Sequence, residues 1–394
     1  MIKKTKAGVK VLLSLMKKLI PVITLLAISI KLAACAGDAD SRWLLSDDEL
    51  KDRIAQMLII GFRGSEATEE SAIVKTLKTH AIGGVILFNY DVPSKSSPRN
   101  IVSPAQTAAL ISSLKKYSRK PLFIAVDLEG GRVNRLKPEY GFADFPSAQA
   151  LGEKNDPDYT RTVSASIAVE ISSLGFNINF APVADVNVNP KNPVIGALGR
   201  SFSDSAEVAA LHCASFISGH KSRGIINSLK HFPGHGSSTA DSHLGMADVT
   251  ATYKDIELIP YEKLVKNGDM DMVMTAHIIN RNIDPLYPAT LSSKYIKGIL
   301  RTRLGFKGVV VSDDMHMAAI SANYGYEDAL VRAVNAGCDI LIISNNNSFF
   351  DDNACEKAIE AIFKAVRKGD IPQSAITESY ERIMAMKNKY AITR

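Results

Sequence analysis

The chain has 394 residues, with 47 Lys and Arg against 41 Asp and Glu, a formal charge of +6. That excess sits in the first 34 residues, which hold seven lysines and no acid; without them 40 basic residues face 41 acidic ones, a charge of −1. No basic patch with interleaved aromatics is left, which excludes nucleic acid as a partner.

The amino terminus reads as a targeting segment. Lysines precede an apolar run from Leu19 to Ile30, and Leu32-Ala33-Ala34-Cys35 follows. The run falls short of the roughly 20 apolar residues that span a bilayer, so it fits the core of a cleaved signal. The small-small-Cys ending resembles a bacterial lipobox, which implies a signal peptide over 1–34 and a lipid on Cys35. Met16-Lys17-Lys18 offers a second start for this segment. A short tether, 35–48, would lead to a domain over 49–394, lipid-anchored at the bacterial envelope and facing the periplasm or the exterior. Cys213, Cys338 and Cys355 match no metal-knuckle spacing and indicate no disulfide framework.

The remaining 360 residues are long for one ordinary domain unless it is a barrel. Eight apolar, β-branched runs read as strands: Met57 to Phe62, Gly84 to Phe88, Leu122 to Val126, Ile178 to Val183, Gly224 to Leu229, Met272 to Ala276, Gly308 to Val311 and Ile340 to Ile343. Helical periodicity separates them at Pro104 to Tyr117, Thr160 to Leu174, Ser205 to Ser222, Ser292 to Arg303 and Tyr326 to Ala336, and the segments after Ala354 would complete an outer ring. Continuous apolar strands alternating with helices predict an α/β fold with a parallel sheet. Eight units favour a single (β/α)8 TIM-type barrel over a doubly wound sheet, because Asp127, Asp185, Lys230-His231, His277, Asp313 and Asn345 each fall at or just past a strand's carboxyl end, the rim on which barrel active sites are built.

Three stretches concentrate the chemistry. In Asp127-Leu128-Glu129-Gly130-Gly131-Arg132-Val133-Asn134-Arg135, paired glycines permit close backbone approach, and Asp127 with Arg135 supplies an acceptor and a donor suited to a polyhydroxylated ligand. In Lys230-His231-Phe232-Pro233-Gly234-His235-Gly236 and the following Asp241-Ser242-His243, Asp241 and His243 project to one side of an extended backbone, so the carboxylate can fix the imidazole tautomer. As an isolated tripeptide the same residues could be a solvated turn. In Ser312-Asp313-Asp314-Met315, Asp313 is placed for nucleophilic attack in the barrel mouth; Asp314 is assigned to a helix N-cap and His316 to a structural helix position. Asp185 reads as a loop brace, and Arg200, in Gly199-Arg200-Ser201-Phe202, as a fixed donor.

Together, Asp-x-Glu-Gly-Gly-Arg, Gly-Arg-Ser-Phe, Lys-His-Phe-Pro-Gly-His-Gly with Asp-Ser-His, and Ser-Asp-Asp resemble family 3 glycoside hydrolases, within them the bacterial β-N-acetylhexosaminidases of peptidoglycan turnover. The resemblance covers about Leu50 to Lys389. It implies Asp313 as nucleophile, His243 as acid/base oriented by Asp241, and Asp127, Arg135, Arg200, Lys230 and His231 as ligands of a terminal N-acetylglucosamine. It implies retention through a covalent glycosyl-enzyme, no cofactor and no metal, with peptidoglycan fragments or other GlcNAc-terminated glycans as substrates. Glycines 234 and 236 with Ser237-Ser238-Thr239 would let His243 swing while Lys230 and His231 stay fixed. Competing readings are a family 3 β-glucosidase or β-xylosidase, a β-N-acetylglucosaminide phosphorylase, a metal-dependent hydrolase using His231, His235, His243 and Asp241, and a non-catalytic wall-binding lipoprotein.

Overall fold

Eight short apolar runs pair side by side and close into a circle. They are β1 (Leu58–Gly61), β2 (Gly84–Ile86), β3 (Phe123–Val126), β4 (Ile178–Asn179), β5 (Ile226–Phe232), β6 (Met272–Thr275), β7 (Val309–Asp314) and β8 (Ile340–Ile343). Each pairs in parallel with its neighbours in the chain, and β1 closes the circle on β8, Ile59 opposite Ile342. The expected (β/α)8 barrel is therefore the fold, and each of the eight apolar runs supplies one strand. Its strands are buried on both faces, with side chains inside and helices outside, which is why they read as continuous rather than alternating apolar runs. The computed structural model describes residues 45–347 and 349–393. The expected signal peptide over 1–34, most of the 35–48 tether and Cys35 lie outside the described residues. Leu50–Arg394 forms one compact unit.

The outer helices start where capping side chains allow. Asp156 accepts the Tyr159 N–H and Pro157 occupies the first turn, so the helix expected from Thr160 begins at Pro157 and runs to Leu174. Ser205 caps Ala206–Lys221 in the same way. The segment expected as an α-helix over 292–303 is a π-helix, Lys294–Arg303, whose end closes with Leu304 N–H donating to the Ile299 carbonyl. β4 is shorter than expected, because Pro182 cannot donate to a ladder; beyond Asn179 only Val183 bridges, to Lys230.

The last helix, Gln373–Lys389, ties together the ends at which strands enter the barrel. Asp339, just before β8, accepts Ser379 Oγ at 2.9 Å and Arg382 at 2.8 Å, and Arg301 at 2.6 Å from the other side. Lys387 is buried; its Nζ donates to Gln56 Oε1 (2.8 Å), the Gly83 carbonyl (3.0 Å) and the Pro121 carbonyl (2.6 Å), above the Phe123 ring. This floor leaves the opposite rim for chemistry.

Burial lowers the Lys387 pKa to about 7 from 10.5. The unfolded chain therefore holds this proton more tightly than the folded one, and the contribution of Lys387 to stability rises as pH climbs from 7 towards 10.5, although the amine above 7 keeps only two of the three N–H donors. Lys387→Met strands three acceptors and should cost about 2–3 kcal/mol, with the difference from the parent protein widening between pH 7 and pH 9 in urea titrations. A difference that stays flat over that range would show that the lysine remains charged.

Candidate active site

At the strand-exit rim a cavity of about 340 Å³ gathers Asp127, Arg135, Arg200, Lys230, His231, Asp241, His243 and Asp313, a volume within the range of small-ligand sites. All eight residues expected to carry the site thus line one space. Phe88, Tyr90, Val92, Met274, Met317 and Ile342 give it an apolar wall.

The fixed part of the site is a cluster of buried charges. Glu129, in the short hairpin that follows β3, receives Arg200 Nε and Nη2 in a fork, both at 2.8 Å, and lies 2.7 Å from Lys230 Nζ. Lys230 also donates to Asp127 at 3.1 Å, and Arg135 stands 3.6 Å from the same carboxylate. Burial alone would push the Glu129 carboxyl up; Arg200 and Lys230 outweigh it and hold the group far below the usual carboxylate range. Burial would likewise lower Lys230, but Glu129 and Asp127 raise it, so the ammonium stays charged. Arg200 Nη1 is spent on the Val194 carbonyl at 2.8 Å, which makes this side chain chiefly an organiser. Glu129 lay inside a motif that had been singled out, yet only Asp127 and Arg135 stood out there; its partners are 71 and 101 residues away in the chain, and local spacing gives no sign of them.

β5 does not stop at Leu229. It runs on to Phe232, and its pairing with β6 slips register between Leu229 and Phe232, so that Lys230 and His231 both line the cavity despite being adjacent. Behind them Asp185, fully buried, accepts His231 Nδ1 at 2.7 Å and the His235 N–H at 2.8 Å. Burial opposes its charge, but His231 and His235 hold it below its ordinary value. Asp185 is a brace, and because its carboxylate takes Nδ1, the other ring nitrogen of His231 is left towards Arg200, 3.3 Å away.

The histidine loop divides in two. Its base, Pro233 to Ser238, is buried, whereas Thr239, Ala240, His243 and Leu244 are exposed. Gly236 is present for close packing: a Cβ there would lie 1.7 Å from the Val186 carbonyl oxygen. Ser237 and Ser238 are buried as well, so the expected hinge is not at 234–238, and any movement of His243 belongs to the tip beyond Ser238. On that tip Asp241 Oδ1 accepts both the backbone N–H and Nδ1 of His243 at 2.8 Å. A carboxylate only accepts, so Nδ1 carries a hydrogen and Nε2 is free to exchange one. The His243 side chain is 55% exposed. His235 Nε2 meets Ser242 Oγ at 3.1 Å, linking base to tip, and burial lowers the His235 pKa to about 4, which keeps this ring neutral.

Asp313 enters the cavity from near the end of β7. One of its oxygens takes the Asp314 N–H at 2.8 Å. Burial works against its charge, and the imidazoles of His277, His231 and His243 outweigh it, so the carboxyl is held below its ordinary value and is ionised at neutral pH. His277, another residue given no role from sequence, fixes this strand end, pairing Nε2 with the Asp314 carbonyl and Nδ1 with Thr290 Oγ1, both at 2.9 Å. Two expectations fail here. Asp314 is not a helix cap: it lies in β7 where the register with β8 shifts, lines the cavity, and accepts the Ser344 N–H and Oγ (2.9 and 2.6 Å), the Asn347 amide and the His316 N–H. His316 is not helical but sits in the turn after β7, packed against Tyr326 and Phe349.

Among the described residues, no group of three or more His, Cys, Asp or Glu side chains is gathered to hold a metal ion, so the set His231, His235, His243 and Asp241 does not converge as the metal reading requires.

Comparison with known proteins accords with this geometry. The family model for the glycosyl hydrolase family 3 N terminal domain matches residues 49–386. The beta-hexosaminidase of Psychromonas ingrahamii is 36% identical over 301 residues, covering 74% of this chain and 83% of its own. Beta-hexosaminidase A of Pseudoalteromonas piscicida is 34% identical over 345 residues, 83% of this chain, and this chain spans 56% of that protein's length. A family 3 β-N-acetylglucosaminidase from Paenibacillus superposes with a TM-score of 0.79 at 36% identity, covering 89% of this chain and 63% of that one. A β-N-acetylhexosaminidase from Beutenbergia cavernae superposes with a TM-score of 0.75 at 28% identity, covering 88% and 99%.

Removing the charge of Glu129 leaves Arg200 and Lys230 buried against each other. Glu129→Gln should therefore destabilise the protein by about 3 kcal/mol or more, read as a lowered denaturation midpoint. An unchanged midpoint would contradict the role given to this carboxylate.

Proposed function

The chain belongs to glycosyl hydrolase family 3, and from that premise we propose that it is a retaining exo-β-N-acetylglucosaminidase. The observation that carries the proposal is an Asp313 held anionic in the same cavity as a His243 whose Nδ1 is fixed by Asp241.

Asp313 attacks the anomeric carbon of a terminal N-acetylglucosamine while the hydrogen on His243 Nε2 passes to the departing glycosidic oxygen. The bond to the aglycone breaks as an ester to Asp313 forms. His243, now lacking that hydrogen, draws a proton from water, which attacks the same carbon and releases Asp313. Two inversions give net retention. Most retaining enzymes divide these roles between two carboxyl groups about 5–5.5 Å apart; here an imidazole serves as both donor and acceptor. Asp241 holds the ring and stabilises the positive charge it carries before it gives up the first proton and after it takes the second. Asp127, Arg135, Lys230 and His231 are the groups we assign to the sugar hydroxyls, with Arg200 and Glu129 fixing their arrangement.

The names of the relatives support an N-acetylhexosamine as the sugar. The lipoprotein-like amino terminus supports glycans of the cell wall as the source, so peptidoglycan fragments ending in GlcNAc are the substrates we propose. Phosphorolysis is the second reading, because a neutral imidazole, unlike a second carboxylate, does not repel phosphate.

With p-nitrophenyl glycosides, release from the β-N-acetylglucosaminide should exceed that from the β-glucoside on the order of 100-fold, since a site built around buried polar groups rejects a substrate lacking their partner. Equal rates would sink the N-acetyl specificity. Free N-acetylglucosamine should be the product with or without phosphate; its 1-phosphate would make the protein a phosphorylase.

A further inference from the structure

His243 stands on an exposed tip, but what fixes the position of that tip is its buried base. Asn192 donates to the His235 and Gly236 carbonyls at 2.7 and 3.2 Å, and Asn189 to the Ser238 carbonyl at 2.9 Å. Two carboxyl groups take N–H groups of the base from different elements. Asp185, after β4, takes His235 N–H. Glu257, in the helical turn Asp255–Leu258 that leads into the helix Ile259–Asn267, takes Ser237 N–H on Oε2 at 3.1 Å and Lys254 N–H on Oε1 at 3.2 Å. The Glu257 residue has no exposed surface. Its stem presses on the loop too, since a Cβ on Gly234 would lie 2.6 Å from Glu257 Cβ.

Unlike Glu129, Glu257 makes no ion pair among the described residues, and burial pushes its carboxyl up to about 7, against the hydrogen bonds from Ser237 and Lys254. A buried acid without a counter-charge is costly, and packing alone would be met by an apolar residue. A carboxyl group offers two acceptor oxygens in one plane, which is what two converging N–H donors require; an amide would turn its own NH2 towards one of them.

We propose that Glu257 is the positioning residue of the acid/base: by fixing Ser237 it holds the buried base in register and, through the His235–Ser242 hydrogen bond, sets where His243 stands over the cavity. The proposal rests on the assignment of His243 as proton carrier. Glu257 has no contact with Asp313, which is set by β7 and His277. Its loss should therefore weaken proton donation and leave nucleophilic attack intact.

That separation is measurable with a series of aryl β-N-acetylglucosaminides running from 2,4-dinitrophenol, which leaves without a proton, to phenol, which needs one. The kcat/KM of the full chain reports the first bond-breaking step. His243→Ala should lose about 100-fold or more on the phenyl substrate, as expected for removal of a general acid, and little on the dinitrophenyl one. Glu257→Ala should copy that pattern, with about a 30-fold loss on phenyl and no more than about a threefold loss on dinitrophenyl. Glu257→Gln, which keeps the volume and one acceptor, should give the same pattern in weaker form and covers the case in which Glu257→Ala does not fold. Equal losses on both substrates, or no loss on either, would overturn the role given to Glu257. If His243→Ala itself shows no dependence on the leaving group, the acid/base assignment fails first and this proposal fails with it.

Discussion

One interaction organises the site: the Glu129 carboxylate held between the Arg200 fork and the Lys230 ammonium. Each of these charges is buried, and each would be expelled or neutralised if it stood alone. Held together they form a rigid polar wall against which Asp127, Arg135 and His231 are placed. The wall draws on the exits of β3 and β5 and on Arg200 from the connection beyond β4, so it exists only when the barrel is closed. Cohesion of the fold and readiness of the site are here the same hydrogen bonds.

The two groups proposed to react stand apart from that wall and differ from each other in burial. Asp313 is on a strand end pinned through the neighbouring Asp314 carbonyl by His277, while three imidazoles oppose the effect of its burial on its charge. A nucleophile that must meet one carbon atom benefits from such fixity. In the proposed mechanism His243 follows the proton from a leaving oxygen to an incoming water, and it sits on an exposed tip with Asp241 fixing its ring. The buried base beneath the tip reconciles movement with aim, and it is there that Asp185, His235 and Glu257 are concentrated.

Much of this was legible in the sequence, and the exceptions share a cause. The strands were visible because burial on both faces leaves continuous β-branched runs, and Asp313 and Lys230 because polar residues at the ends of such runs are conspicuous; His243 was visible through its spacing to Asp241 and the motif resemblance. Glu129, Glu257 and His277 were not given roles, since each acts on partners supplied by another strand or helix that periodicity cannot bring near. Gly234 and Gly236 were read as freedom when they mark close contact; a glycine signals either, and only the Val186 carbonyl against Gly236 decides. Asp314 reads as a helix cap because adjacent residues of a regular strand face opposite ways; the β7–β8 register shifts there, letting two adjacent carboxylates line one cavity.

The central claim is that Asp313 becomes covalently bound to the sugar. A 5-fluoro N-acetylglucosaminyl fluoride tests it most directly: the ring fluorine slows both steps, while the fluoride leaving group needs no acid, so an ester should accumulate. Mass spectrometry of the whole protein and of its peptides should then find one fluorinated N-acetylhexosamine residue, attached at Asp313. A label on any other residue, or an inverted sugar product formed with no ester, would contradict the account.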